Sequence, residues 1–271
     1  MKIRLRWLML AGLIMMAIAA WWYWPRFAGT TGAQAVLKPR QVPYLAPDRQ
    51  PYAGVLRAIV QPDGLVAYHR LDDAIEKALA NYLQEVANAT PARFPSDNHR
   101  LAFFINAYNA LVLSGVKKAM PIASVEDVGP LHAFFRERVY IVAGTKVSLH
   151  GLETKVIRKF DPMLHFGLNC ASKSCPPLAA EPYRPEILQQ QLEASARSFL
   201  NNCEHNRFNP QDGVLELSKI FEWYAGDFGG EAGVRKILAK FGPADLPNDA
   251  PIRYRPYDWS LNISDKTLEP E

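Results

Sequence analysis

Cysteine is scarce in this chain, with three residues in 271, at positions 170, 175 and 203. The C-x-x-C spacing usual in thiol–disulfide proteins is absent, and so are the tight paired spacings and clear fourth ligand of a zinc site. Charge of one sign is also lacking. The formal net charge is only +4, and no long run of Lys or Arg stands out. Mixed charge of this kind marks a solvated surface, so nucleic acid is not an expected partner. No internal repeat or low-complexity block breaks the sequence. With 49% hydrophobic and 21% charged residues, the composition suits one ordinary globular domain with ample material for a core.

The N-terminus carries what the rest lacks, a long apolar run. MKIRLR leads into an uncharged stretch of 18 residues, Trp7 to Trp24. A membrane span needs about 20 apolar residues, so this one is just long enough. Lys2, Arg4 and Arg6 would stay cytoplasmic and send the body outward, with Trp21, Trp22, Tyr23 and Trp24 at the outer interface. The alternative is a cleaved signal peptide, with Ala17-Ile18-Ala19 or Ala33-Gln34-Ala35 as cleavage sites. Both readings export the body to the periplasmic side, tethered or released. Residues 25–50 hold Pro25, Pro39, Pro43 and Pro47 and read as a linker or extended arm. The globular domain is expected over 51–262, with a short tail at 263–271.

Within that domain, Leu71, Ile75, Leu79, Tyr82, Leu83 and Val86 share one face of a helix over 71–89. Ser96 caps a second helix, apolar around most of its middle and therefore central. RVYIVAG and TKVSL form a hairpin turning at Gly144, and HGLETKVIRKF a short helix. HFGLN reads as a short strand. RPEILQQQLEASARSFLNN and EAGVRKILAKFG are amphipathic helices, and VLELS and IRYRPYDWSLN are strands. Without a regular βαβ alternation, this predicts an α+β fold of helices packed on a small, mainly antiparallel sheet.

The chemistry concentrates in HFGLNCASKSCPPL, residues 165–178. Three readings of it stand side by side. A metal site would use His165 with Cys170 and Cys175, with Cys203 and His205 as partners only by number. A disulfide, chemically allowed in an exported chain, would join Cys175 to Cys203 or Cys170 to Cys175. A nucleophile would use Cys170, with His165 as its base and Glu153 orienting the imidazole. The small residues after Cys170 would offer backbone amides to an oxyanion, and Lys173 adds positive charge. Alternation along a strand puts His165 and Cys170 on opposite faces, so this third reading needs a turn at Asn169–Cys170. His69, His99, His132 and His150 carry no supporting pattern.

AFFINAYNALVL (102–113), VSLHGLETKVIRKFDPMLHFGLNCASKSCPPL and the ending YDWSLN resemble exported bacterial members of the domain of unknown function 547 family, over roughly residues 50–262. The resemblance implies a likeness to papain-like thiol peptidases, with a Cys-His-acid site in an order different from papain's. The family's H-F-x-L-x-C motif falls on His165 and Cys170. Its I-E-x-x-x-x-R motif falls on Glu153 and Arg158, with Leu152 where isoleucine is commoner. The expectation is an exported, membrane-tethered, cysteine-dependent hydrolase or acyl-transfer enzyme acting on amide or peptide bonds in the cell envelope, without metal or cofactor. Cys170, His165 and Glu153 would be catalytic, supported by Asn169, Asn106, Asn109, Arg158 and Lys173. Cys175 and Cys203 stand as alternative nucleophile or disulfide partners. The rival is a non-catalytic envelope binding or scaffold domain.

Overall fold

In the computed structural model, which describes residues 46–244, 246–247 and 249–264, the chain enters on helix α1 (Arg49–Ile59). Asp48 caps it, its carboxylate accepting the Gln50 N–H. Helix α2 (Asp73–Asn88) starts at the Asp72 cap and buries Leu79, Tyr82 and Val86. Ile75 and Leu83, on the same face, pack against that core from a partly buried position. Tyr82 stacks on Tyr52 of α1 with ring centroids 4.7 Å apart. Helix α3 (Asp97–Ala119) begins where Ser96 accepts the His99 N–H, and it is buried on nearly all sides between Leu101 and Val116. A helix apolar all round must lie inside, and this one forms the spine of the larger core.

The short helix α4 (Ala133–Arg136) precedes the hairpin of β1 (Val139–Val142) and β2 (Thr145–Ser148). Ala143 and Gly144 both take positive φ in its two-residue turn, which suits the twist of the two strands. Ser148 then caps α5 (Leu149–Lys155), the short helix expected there. Helix α6 (Leu188–Leu200) leads to β3 (Arg207–Asn209) and β4 (Val214–Leu217). Helices α7 (Ile220–Trp223) and α8 (Gly230–Phe241) follow, and β5 (Ile252–Tyr254) closes the second sheet. In that sheet β4 is central, antiparallel to β3 and parallel to β5. The described residues thus form a single α+β globular domain with two small sheets. Among the described residues no helix is long and apolar enough to cross a membrane. The expected N-terminal anchor or signal segment, most of the linker and most of the tail fall outside the described residues.

One expectation fails at the place that matters. His165 is not on a strand: Pro162–Phe166 is a 3-10 turn. Asp161 caps it by accepting the Met163 N–H, and Pro162 fits the first turn because its missing N–H would have no partner there. Strand alternation therefore does not apply to His165 and Cys170. This turn joins the two cores, since Leu164 and Leu168 pack into the α1–α3 core while Phe166 packs with Phe199, Phe221 and Phe228 under the second sheet. Each such burial is worth about 1.5–3 kcal/mol, so His165 is held firmly between them.

Candidate active site

The stretch from His165 to Cys175 is fastened on several sides by buried asparagines. Asn109 on α3 donates to Gly167 O at 2.9 Å and accepts the Asn169 N–H at 2.9 Å. Asn169 in turn donates to Pro176 O and accepts the Ala171 N–H, so it braces both ends of the cysteine loop. Asn262 donates to Asn169 Oδ1 and accepts from the Tyr68 hydroxyl. Asn106, one turn before Asn109, pairs with both backbone groups of Tyr183 and supports the core there instead. Ala171 has φ +63°, a left-handed position that costs a residue with a Cβ about 1–3 kcal/mol and that the Asn169 bond helps to fix. It turns the chain directly after Cys170.

Cys170 is partly exposed. Its Sγ lies 2.9 Å from Ser172 Oγ and 3.2 Å from the Tyr257 hydroxyl, which themselves are 3.0 Å apart. Its N–H points at Cys175 Sγ, 2.9 Å away. Burial works against ionisation of the Cys170 thiol, yet hydrogen bonds from Cys175, Ser172 and Tyr257 prevail and bring it down to about 7. Cys175 goes the other way, pushed well above the ordinary thiol range by burial and by its neighbour Cys170. All three cysteines are free thiols, so no disulfide is present. Cys175 is buried in the loop and Cys203 exposed. Of the backbone amides expected to meet an oxyanion, the Ser172 N–H points at Cys170 Sγ itself, and the other four are engaged elsewhere. Cys170 N–H goes to Cys175 Sγ, Ala171 N–H to Asn169 Oδ1, Lys173 N–H to Ser260 O and Ser174 N–H to Asp258 O. The side chain of Lys173 is exposed and lines a neighbouring groove.

His165 is buried, and its Nε2 lies 2.8 Å from Asp227 Oδ2. Arg158 grips the same carboxylate with two bonds, Nε to Oδ2 at 2.6 Å and Nη2 to Oδ1 at 2.7 Å. The Arg158 bond, with His165 adding to it, holds Asp227 below the usual carboxylate range. Burial pushes the imidazole down to about 4, overcoming the opposite pull of Asp227. At neutral pH a neutral ring therefore faces an ionised carboxylate, which places the ring proton on Nε2 and leaves Nδ1 as an acceptor. The ring also stacks on Tyr224, with centroids 3.9 Å apart.

Glu153, the acid expected to orient the histidine, is bonded elsewhere: its Oε1 accepts from the Tyr224 hydroxyl at 2.7 Å. Burial raises its pKa. Arg158, which shares the I-E-x-x-x-x-R motif with Glu153, is bonded to Asp227. The acid on the imidazole is Asp227, 62 residues downstream of it. No sequence feature singled it out, although it sits in GDFGG, where Gly229 and Gly230 take positive φ and allow the tight return after α7.

Glu153, His165, Cys170 and Cys175 line one chamber of about 80 Å³, walled by aromatic side chains that include Tyr108, Tyr224, Trp223 and Trp259. Tyr257, from the closing segment, supplies one of the two hydroxyls on the thiol. Among the described residues no hydrogen bond joins His165 to Cys170. A larger polar groove of about 420 Å³ adjoins the chamber, and Cys175 and Tyr257 stand in the wall of both. Among the described residues no group of His, Cys, Asp and Glu has the arrangement of a metal site.

Against known proteins, residues 92–200 match the family model described as "Protein of unknown function, DUF547". That segment contains Asn106, Asn109, Glu153, Arg158, His165, Cys170 and Cys175 and stops before Asp227 and Tyr257. No curated protein and no solved structure matches the chain.

Proposed function

Because residues 92–200 place the chain in the DUF547 family, whose description assigns no activity, we propose a function from the chemistry of the site: an exported, membrane-tethered thiol hydrolase or acyl-transfer enzyme acting on amide or peptide bonds. The observation that carries this reading is the convergence of the Ser172 and Tyr257 hydroxyls on Cys170 Sγ, in the same chamber as a histidine paired to a carboxylate. Hydroxyl donors stabilise a thiolate, and a thiol brought down to about 7 is substantially ionised at neutral pH. Cys170 Sγ attacks the amide carbonyl. From the un-ionised fraction the thiol proton passes to His165 Nδ1 during the attack and is returned to the leaving amine, while Asp227, locked by Arg158, holds the ring. Water then cleaves the thioester, or a second amine takes the acyl group.

The engaged amides leave the Ser172 N–H, which already points at the sulfur, and beside it Tyr257 as the oxyanion donors. The Tyr257 hydroxyl lies 3.2 Å from the sulfur, and burial raises its pKa, so it stays protonated. The aromatic walls favour a compact apolar group beside the scissile bond. A papain-like relationship accords with a neutral histidine held by a side chain on Nε2 and open on Nδ1. The positively charged N-terminal residues and the apolar run after them support export and tethering.

The second reading is a non-catalytic envelope binding domain, favoured by the absence of a His165–Cys170 hydrogen bond. An iodoacetamide–alkyne probe at neutral pH separates the two. Fast, selective labelling of Cys170 that is lost in Cys170→Ala supports the enzyme, and equally slow labelling of all three thiols supports the binding domain.

A further inference from the structure

We propose that Cys175 is the resolving thiol of a peroxide-sensitive switch that reversibly disables Cys170, an inference that rests on Cys170 being the nucleophile. The proposed reaction uses Cys175 for none of its steps, yet the fold places it against the nucleophile. Cys175 Sγ accepts the Cys170 N–H at 2.9 Å, so the second sulfur lies directly beside the nucleophile's own residue. Cys175 Sγ donates to Leu168 O at 3.7 Å, as a protonated thiol does. The pair is thus asymmetric, a sulfur surrounded by donors beside one kept as a thiol, which is the arrangement of an oxidation-sensing cysteine and its resolving partner.

Access is also provided. Cys170 is partly exposed and lines the 80 Å³ chamber, where a molecule the size of hydrogen peroxide meets it, and Cys175 lines both that chamber and the 420 Å³ groove. Cys203 is exposed and lines neither cavity.

The chemistry balances with a peroxide as the two-electron oxidant. The Cys170 thiolate attacks one peroxide oxygen, the O–O bond breaks, and the other oxygen leaves as water after taking a proton from the Tyr257–Ser172 hydroxyl pair, which is restored from solvent. Cys170 is now a sulfenic acid. Cys175 sulfur attacks Cys170 Sγ, the S–S bond forms and the S–O bond breaks, and the hydroxide leaves as water with the Cys175 proton. A small dithiol reverses the bond. The disulfide occupies the nucleophile and prevents its irreversible oxidation to sulfinic acid.

The test is hydrogen peroxide treatment of the full chain at neutral pH, followed by non-reducing peptide mapping. The expected product is a Cys170–Cys175 disulfide with loss of iodoacetamide labelling at Cys170, fully restored by dithiothreitol, while Cys203 remains alkylatable. In Cys175→Ser the same dose yields a Cys170 sulfenic acid trapped by dimedone, then a sulfinic acid that dithiothreitol does not reverse. In Cys170→Ala, Cys175 remains a free thiol. Direct progress of wild-type Cys170 to sulfinic acid overturns the switch, as does a disulfide that uses Cys203. Labelling of the reduced protein separates the two levels. Fast labelling of Cys170 without a Cys170–Cys175 disulfide removes the switch alone, and slow labelling removes nucleophile and switch together.

Discussion

Asp227 holds His165 across 62 residues of sequence, its Oδ2 2.8 Å from the imidazole Nε2, while Arg158 locks its other side. The ring is fixed by one carboxylate, not by the nearer Glu153, and the two acids have separate tasks. Asp227→Asn should therefore shift the His165 tautomer in nitrogen NMR and lower turnover of a fluorogenic peptide amide by about 10²–10⁴-fold. Glu153→Gln keeps an acceptor for the Tyr224 hydroxyl and should leave the tautomer in place. Equal effects of both substitutions would assign the imidazole to the wrong acid.

The buried imidazole makes folding pH-dependent in a definite window. His165 titrates near 6.5 when unfolded and at about 4 when folded, so between those values the unfolded chain binds more protons. Its contribution is complete above pH 6.5 and is lost as the pH falls through about 4, a change of up to about 3 kcal/mol. Asp227, whose pKa is lowered, adds a loss in the same direction at still lower pH. Urea unfolding at pH 7 and pH 4.5 should show the wild type losing stability and His165→Asn losing less. Parallel losses would place the proton elsewhere.

Asn109 satisfies two buried backbone groups, Gly167 O and Asn169 N–H, at the entry to the cysteine loop. Asn109→Leu leaves both without a partner, at about 1–3 kcal/mol each. The expected result is a clear fall in thermal midpoint together with slower alkylation of Cys170. A lost midpoint with unchanged alkylation would confine Asn109 to the core.

Gly64 stands against the far side of the same loop. Its φ is +80°, and a Cβ there would lie 2.2 Å from Pro177 Cβ. Gly64→Ala should displace Pro177 and destabilise the fold by about 1–3 kcal/mol. Denaturant midpoints check this, and an unchanged midpoint would show that the loop yields freely.

Much of this architecture was legible in the sequence. The Ser96 cap, the central α3 helix, the Gly144 hairpin and the HFGLNC stretch carry local signals, whether periodicity, a capping side chain or a turn residue. The residues that complete the site do not. Asp227 reaches His165 only because α7 and the GDFGG turn bring the chain back, and Tyr257 reaches Cys170 only because the closing segment runs beside the cysteine loop, with Ser172 bridged to Leu261. Pairings this distant leave no spacing to read. The largely apolar HFGLN reads as a strand, whereas the Asp161 cap and Pro162 wind its first residues into a 3-10 turn.

The most direct measurement is the pH profile of Cys170 alkylation in the wild type, Ser172→Ala and Tyr257→Phe. A midpoint of about 7 is expected in the wild type. Each substitution removes a hydrogen-bond donor to the sulfur and should move the midpoint upward, toward the free-thiol value near ~8.5. A wild-type midpoint already at ~8.5, unmoved by either substitution, would contradict an activated Cys170.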